Sequence, residues 1–322
     1  YNLNTKLNEV SDYRRTFFEE FFTYFVPNRV FIWNGAHDYQ QDFIDYCASR
    51  KLYTKLVFAE LAWFSQKDYF YLDTIGVNGR SSISMHKFKS LATDETRKIS
   101  NWIKSFKSQL NGHVTEKKTV LVPLQLESDT SITEFSPFST MLEFLKFLDH
   151  WLPEEFTIFV RNHPLAQNNE VLSSMPSRFS ISPDESLYDA IDKAEYVVGI
   201  NSTVLLESLA FGKKVYAFGR GIFSSSNAIF SNNNLDRKFQ TFEPNEADMQ
   251  CFLYELVFSR QIPFREVYDM NARYLISVLP FDVRLPQKVN MPKLYNPNLF
   301  DRLLGYVFYH LFFMKQRIQR WI

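Results

Sequence analysis

Cysteine is nearly absent. Cys47 and Cys251 are the only two in 322 residues, and they stand in no CxxC or metal-ligand spacing. That count argues against a disulfide scaffold and a zinc site and fits a reducing cytoplasm. An excess of either charge is also missing, with 36 Lys plus Arg against 36 Asp plus Glu. No global basic charge points to nucleic acid, and no acidic surplus points to disorder. These residues show neither signal-peptide pattern nor an apolar run of about 18 residues, so no membrane span is predicted within them. Internal repeats and low-complexity tracts are lacking. The chain begins at Tyr1 without a methionine, as expected of a piece of a longer protein.

Apolar material is plentiful. Hydrophobic residues make up 45% of the chain and aromatics 17%, with 33 phenylalanines, enough for a sizeable core. The length suits one large domain or two of ordinary size.

Glu195 to Gly219 organises the rest. Tyr196 to Ile200 reads as a buried strand, Asn201-Ser202-Thr203 as a tight polar turn, and Val204, Leu205, Leu209 and Ala210 as a helix. Gly212 reads as the helix stop and Val215 to Phe218 as the next strand. Parallel strands joined by a helix predict a doubly wound sheet, in which ligands sit at the carboxyl ends of the strands. Asn201, Ser202 and Thr203 fall at that edge, where free N–H groups and hydroxyls at a helix N-terminus suit a phosphate. Ser202 or Thr203 acting only as the N-cap is the competing reading.

Along the chain, a helix is predicted around Phe17 to Phe25, a strand over Arg29 to Trp33, a helix over Gln40 to Arg50 and a strand over Leu56 to Ala59. That strand delivers Glu60 to its carboxyl end, a place suited either to chemistry or to a solvated loop carboxylate. Asp68 to Ser82 reads as a loop with Asn78 and Ser81 placed to line a cleft, and Thr93 to Leu110 as a polar helix. The charged Glu116 to Lys118 marks a domain boundary, and Thr119 to Leu124 a strand. Gln125, Glu127, Asp129 and Ser131 follow it. Paired carboxylates of this kind can supply a nucleophile and an acid or base in sugar chemistry, whereas a turn or cap role is the simpler one for Asp129.

A helix is predicted over Thr140 to Trp151 and a strand over Phe156 to Val160, followed at once by Arg161-Asn162-His163-Pro164. Arg161, His163, Ser202 and Thr203 thus fall at matching ends of neighbouring strands, which favours a functional site. Ser182 and Glu185 have capping-box spacing before a helix from about Ser186 to Lys193. Gly219 to Asp236 reads as a long mobile loop and Asp248 to Phe258 as a helix. Asn298 to Ile322 carries an apolar stripe of Leu304, Val307, Phe308, Leu311, Ile318 and Ile322 with basic residues near its end. It suits docking on the folded body or, alternatively, a membrane surface.

Five stretches together resemble the capsule-polysaccharide family of bacterial Kdo transferases, glycosyltransferases that use CMP-Kdo. They are Trp33 to Gly35 (WNG), Ala59 to Ser82, VPLQLESDTSI from Val122 to Ile132, RNHP from Arg161 to Pro164, and Ile200 to Gly219. The family usually has lysine where this chain has Arg161. The resemblance implies a GT-B-like α/β fold, two Rossmann-like halves facing across a cleft. Residues 1–117 would form the acceptor-side half, shorter than usual, residues 118–295 the half that binds the CMP-sugar, and residues 296–322 an amphipathic helix. It further implies β-Kdo transfer with retention and no metal or other cofactor, with Asp129 as the nucleophile and Glu60 as the acid/base. Arg161, His163, Ser202 and Thr203 would stabilise the departing phosphate, and Glu207 would meet the ribose. Gln125, Ser131, Asn201, Asn78 and Ser81 complete the implied donor site. The partners implied are CMP-Kdo and an oligosaccharide or glycolipid acceptor, with peripheral contact at the inner membrane face or with other polysaccharide assembly proteins. A sialyltransferase-like enzyme and a non-catalytic sugar-nucleotide-binding module are the rival readings.

Overall fold

The computed structural model describes residues 3–24, 29–52, 56–166, 170–184, 186–231, 235–236 and 238–264. In chain order the elements are α1 (Leu3–Tyr24), β1 (Val30–Trp33), α2 (Asp38–Ser49), β2 (Leu56–Leu61), β3 (Tyr69–Asp73), α3 (Thr93–Lys107), β4 (Glu116–Pro123), α4 (Thr130–Phe135) and α5 (Met141–Trp151). They continue as β5 (Thr157–Arg161), α6 (Glu170–Ser174), β6 (Phe179–Ile181), α7 (Leu187–Lys193), β7 (Ala194–Gly199), α8 (Thr203–Ala210), β8 (Lys214–Ala217), β9 (Phe230–Ser231), α9 (Glu246–Tyr254) and β10 (Gln261–Pro263).

The apolar, β-branched runs form a six-stranded sheet in the order β6-β5-β4-β7-β8-β9, parallel throughout. Both faces of such a sheet must be covered, which explains why Val120, Val122, Ile158, Val160, Val197 and Val198 are all fully buried. The chain runs outward from β4 to β6, then returns to β7 on the other side of β4. This is the doubly wound order, with its switch point between β4 and β7. On one face an aromatic core gathers Phe144, Trp151, Tyr216 and Phe218, with the Trp151 and Phe218 rings edge to face at 4.9 Å.

The N-terminal sheet is smaller, in the order β1-β2-β3-β10. β1 and β2 are parallel, and β2 and β3 antiparallel. Its core is continuous with the second face of the large sheet, uniting Tyr71, Ile99, Val197, Leu205 and Phe252. α3 bridges the two, with Phe106 stacked on Phe211 at 4.6 Å. Tyr1–Ile262 accordingly cluster as one compact unit and Pro263–Ile322 as another, of which only residues 263–264 are described.

Four expectations are corrected. The stretch from Asp68 is not all loop, because Tyr69–Asp73 is a strand whose aromatic side chains enter the core. Residues 1–117 therefore contribute a third strand to the smaller sheet, where the sequence shows two, and β10 from far along the chain completes it as the fourth. Ser186, not Ser182, caps α7, its hydroxyl accepting from Tyr188 N at 3.1 Å. The stretch after Gly219 is packed rather than loose. Ile222, Phe223, Ala228 and Ile229 are buried, and β9 pairs with β8, because its apolar residues outweigh the serines around them. The final helix from Asn298 and the capping residue Glu185 lie outside the described residues.

Candidate functional site

The carboxyl ends of β4 and β7 are tied together by side chains. Gln125 Nε2 donates to Asn201 Oδ1 at 3.0 Å, and Asn201 N donates back to Gln125 Oε1 at 3.1 Å. Asn201 Nδ2 also donates to the carbonyls of Ser131 at 2.6 Å and Arg220 at 3.3 Å. One asparagine thus fixes the loops after β4, β7 and β8 to each other. Gln125 and Asn201 spend much of their hydrogen-bonding capacity on this bridge.

Asp129 is exposed and caps α4, its carboxylate accepting from Ser131 N at 2.8 Å. A cap bond of this kind occupies one oxygen and leaves the other for a ligand. Ser202 caps α8 in the same way, accepting from Val204 N at 3.2 Å. Gly212 ends α8 in the left-handed region, with φ +83°. Glu127 is engaged elsewhere, accepting from Met141 N at 2.7 Å.

After β5, Arg161 donates from Nη1 to the carbonyl of Asp184 at 2.6 Å. His163 Nδ1 accepts from Leu165 N at 3.1 Å. That bond places the neutral ring's proton on Nε2. Burial lowers the His163 pKa below the ordinary value, opposed by the nearby charge of Asp129. His163 therefore presents a neutral N–H donor close enough to Asp129 for the two to interact.

Glu60 comes from the other sheet. Its Oε2 accepts from Asn34 Nδ2 at 2.5 Å and its Oε1 from Leu61 N at 2.8 Å. The same Asn34 nitrogen reaches Thr130 Oγ1 at 3.4 Å, so one amide joins Glu60 to the turn that carries Asp129. Burial raises the Glu60 pKa and the Asp129 charge raises it further, while the hydrogen bonds from Leu61 and Asn34 and the charge of His37 pull it down. Asn34 has φ +63° and Gly35 +83°, a double left-handed turn that asparagine and glycine adopt most readily. It points the Asn34 side chain back over the end of β2.

The loop carrying Asn78 and Ser81 is organised by Asp73, which is fully buried. Its carboxylate accepts from Ile75 N, Gly76 N, Ser81 Oγ, Ser82 N and Ser82 Oγ, at 2.7–3.3 Å. Ser81 is itself fully buried, so it holds the loop and offers no surface to a ligand. Asn78 remains at the surface of the site, its backbone held by the Tyr71 hydroxyl at 2.8 Å. Arg80 reaches across to Glu134 on α4 at 2.9 Å.

Two concavities meet at Asn78. One, of about 410 Å³, lies between the two sheets and is lined by Asn34, Gly35, Gly76, Asn78, Thr130 and Glu134 among others. The second, of about 310 Å³, is lined by Trp63, Asn78, Ser131, Asn201, Thr203 and Arg220 with apolar neighbours. Glu207, one turn into α8, is half-buried, and its pKa is pushed up to about 7 by burial.

Gln125, Asp129, Ser131, Arg161, His163, Asn201, Ser202 and Thr203 all lie at the carboxyl ends of adjacent strands, and Glu60 joins them from the facing sheet through Asn34. Sequence reasoning missed Asn34, Asp73 and Arg220 as site residues. The first two sit inside stretches already singled out, and the signal was an asparagine before glycine and an aspartate closing an aromatic run. Arg220, a single residue after a strand, gave none. Among the described residues no group of His, Cys, Asp and Glu side chains is arranged to hold a metal ion, and no helix is long and apolar enough to cross a membrane.

Known proteins resemble this architecture. Thermosulfurimonas dismutans KpsC, in a structure described as a beta Kdo 2,7 transferase, superposes with TM-score 0.54 and 19% identity over 83% of this chain and 95% of that one. A second KpsC structure from the same organism, described as a beta Kdo 2,4 transferase, gives 0.51 and 12% identity over 76% and 86%. These likenesses establish a shared GT-B-like α/β fold. No curated protein sequence matches the chain. The family model described as capsule polysaccharide biosynthesis protein matches residues 83–265, more than half of the chain, and the chain therefore belongs to that family.

Proposed function

We propose that this protein is a retaining β-Kdo transferase that moves Kdo from CMP-Kdo to a bacterial surface-polysaccharide or glycolipid acceptor at the cytoplasmic side of the membrane. The observation that carries the reading is the Asn34 amide joining Glu60 to the Asp129 turn, at the switch point of a doubly wound sheet. Two carboxylates from facing sheets, brought within electrostatic range, suit a double displacement.

In the first step an Asp129 oxygen attacks the anomeric carbon of Kdo. The bond to the phosphate oxygen breaks, and CMP leaves with the electron pair. His163 Nε2–H and the N-terminus of α8 stabilise the phosphate as it gains charge. Arg161 adds positive charge at the same edge. In the second step an acceptor hydroxyl attacks the same carbon and Asp129 departs as a carboxylate. Glu60 takes the hydroxyl proton and passes it to solvent. Two inversions give net retention. A raised pKa makes Glu60 a stronger base than an ordinary glutamate. Glu207 faces the ribose, and Asn78 borders the donor sugar.

Turnover of CMP-Kdo against a panel of oligosaccharide and glycolipid acceptors tests this. Release of CMP with a β-linked Kdo product is expected. Preference for CMP-sialic acid would favour a sialyltransferase, and CMP binding without transfer to any acceptor would favour a binding module.

A further inference from the structure

Arg220 stands at the carboxyl end of β8, one residue past Gly219. The backbone there is held closely. Arg220 N donates to Phe135 O at 2.9 Å, and its carbonyl accepts from Asn201 Nδ2 at 3.3 Å. A side chain at Gly219 would put its Cβ 2.6 Å from Ile200 Cγ2, so only glycine lets the strand end approach this way. The guanidinium lies over the Phe135 ring, 5.5 Å from its centroid, and the residue is exposed. Among the described residues no carboxylate pairs with it.

Among the described residues Arg220 is also the sole charged one lining the 310 Å³ concavity, whose polar members are otherwise Asn78, Ser131, Asn201 and Thr203. An arginine fixed at its backbone, set over a ring and lacking a counter-ion in a pocket of mixed polar and apolar lining is built to meet a planar anion. A CMP-ulosonic acid carries two anionic groups, the phosphodiester and the sugar carboxylate. In the reaction above, His163 and α8 serve the phosphate, which leaves the carboxylate without a counter-charge. Arg220 lies on the opposite side of the switch point from His163, after β8 rather than β5.

We infer that Arg220 binds the carboxylate of the donor sugar and so selects ulosonic acids over neutral sugars. This rests on the Kdo-transferase reading and deepens it. The carboxylate sits on the anomeric carbon, so its capture orients that carbon towards Asp129.

Binding is measured by calorimetry in an Asp129→Asn background, which keeps the donor unreacted. The ligands are CMP, CMP-Kdo and the C1 carboxamide of CMP-Kdo. With Arg220 present, CMP-Kdo should bind about 10- to 100-fold more tightly than the carboxamide. Arg220→Gln should abolish that difference and leave CMP affinity within about twofold, the scale of a factor without energetic weight. The carboxamide comparison needs no change at Arg220, so it holds even where the Gln variant folds poorly, and Arg220→Lys should keep part of the discrimination. Equal weakening of CMP and CMP-Kdo by Arg220→Gln would assign the arginine to the phosphate and overturn the inference. Equal binding of acid and carboxamide would overturn it too. Failure of CMP and CMP-Kdo alike to bind would instead remove the donor assignment, and this inference with it.

Discussion

Gln125 and Asn201 bond each other twice across the β4–β7 switch point, and Asn201 carries the connection on to Ser131 and Arg220. Replacing Asn201 with aspartate would set a carboxylate oxygen against two carbonyl oxygens. Asn201→Asp should therefore destabilise the protein by about 1–3 kcal/mol, the cost of losing these hydrogen bonds and setting like partial charges together. Urea denaturation measures it. An unchanged midpoint would show that the bridge has no structural weight.

Asn34 lowers the Glu60 pKa by donating to its carboxylate. Asn34→Gly removes that donor while keeping a residue that accepts φ +63°. Glu60 must be ionised to act as a base, and without the amide its pKa rises further. The acidic limb of the pH–rate profile should then move to higher pH. A drop in rate with no movement of that limb would detach Asn34 from the protonation of Glu60.

Asp73 accepts from five donors while fully buried. Asp73→Ala should orphan them and cost roughly 3 kcal/mol or more, since each unsatisfied buried group costs about 1–3 kcal/mol. The site should lose activity as well, because Asn78 borders both concavities. A variant of native stability would contradict this role for Asp73.

Glu207 has its pKa raised from 4.5 to about 7 by burial. The folded state therefore holds a proton that the unfolded state has released, and stability falls as pH rises from 4.5 to about 7. Below that window both states are protonated and the burden vanishes. Glu207→Gln should stabilise the protein by about 3 kcal/mol above pH 7 and hardly at all below pH 4.5. Melting temperatures at the two extremes check the sign. A benefit independent of pH would refute it.

The large sheet was legible because Thr119 to Leu124, Phe156 to Val160, Tyr196 to Ile200 and Val215 to Phe218 are apolar runs closed by turn residues. Tyr69–Asp73 was not, because a short aromatic run merging into a glycine- and serine-rich loop has no alternation to betray a strand. The stretch after Gly219 misled through its serines and asparagines, while burial of Ile222, Phe223 and Ile229 decides its structure. Ser182 and Ser186 stand one turn apart with similar capping chemistry, and only the backbone shows that Ser186 is the cap. At the site, strand ends located Asp129, His163 and Ser202 without difficulty. The links between elements far apart in sequence, such as Asn34 to Thr130, leave no local pattern.

The central claim is that Asp129 is more than the cap of α4. Aspartate and asparagine cap helices about equally well, so Asp129→Asn separates the two roles. The variant should keep its stability to within about 0.5 kcal/mol and still bind CMP, yet lose several orders of magnitude in rate. The most direct measurement is mass spectrometry of the wild-type protein incubated with CMP-Kdo and no acceptor. One Kdo should be attached to a peptide containing Asp129 in the wild type and none in the variant. An active Asp129→Asn enzyme, or an inverted product anomer with no adduct on the wild type, would contradict it.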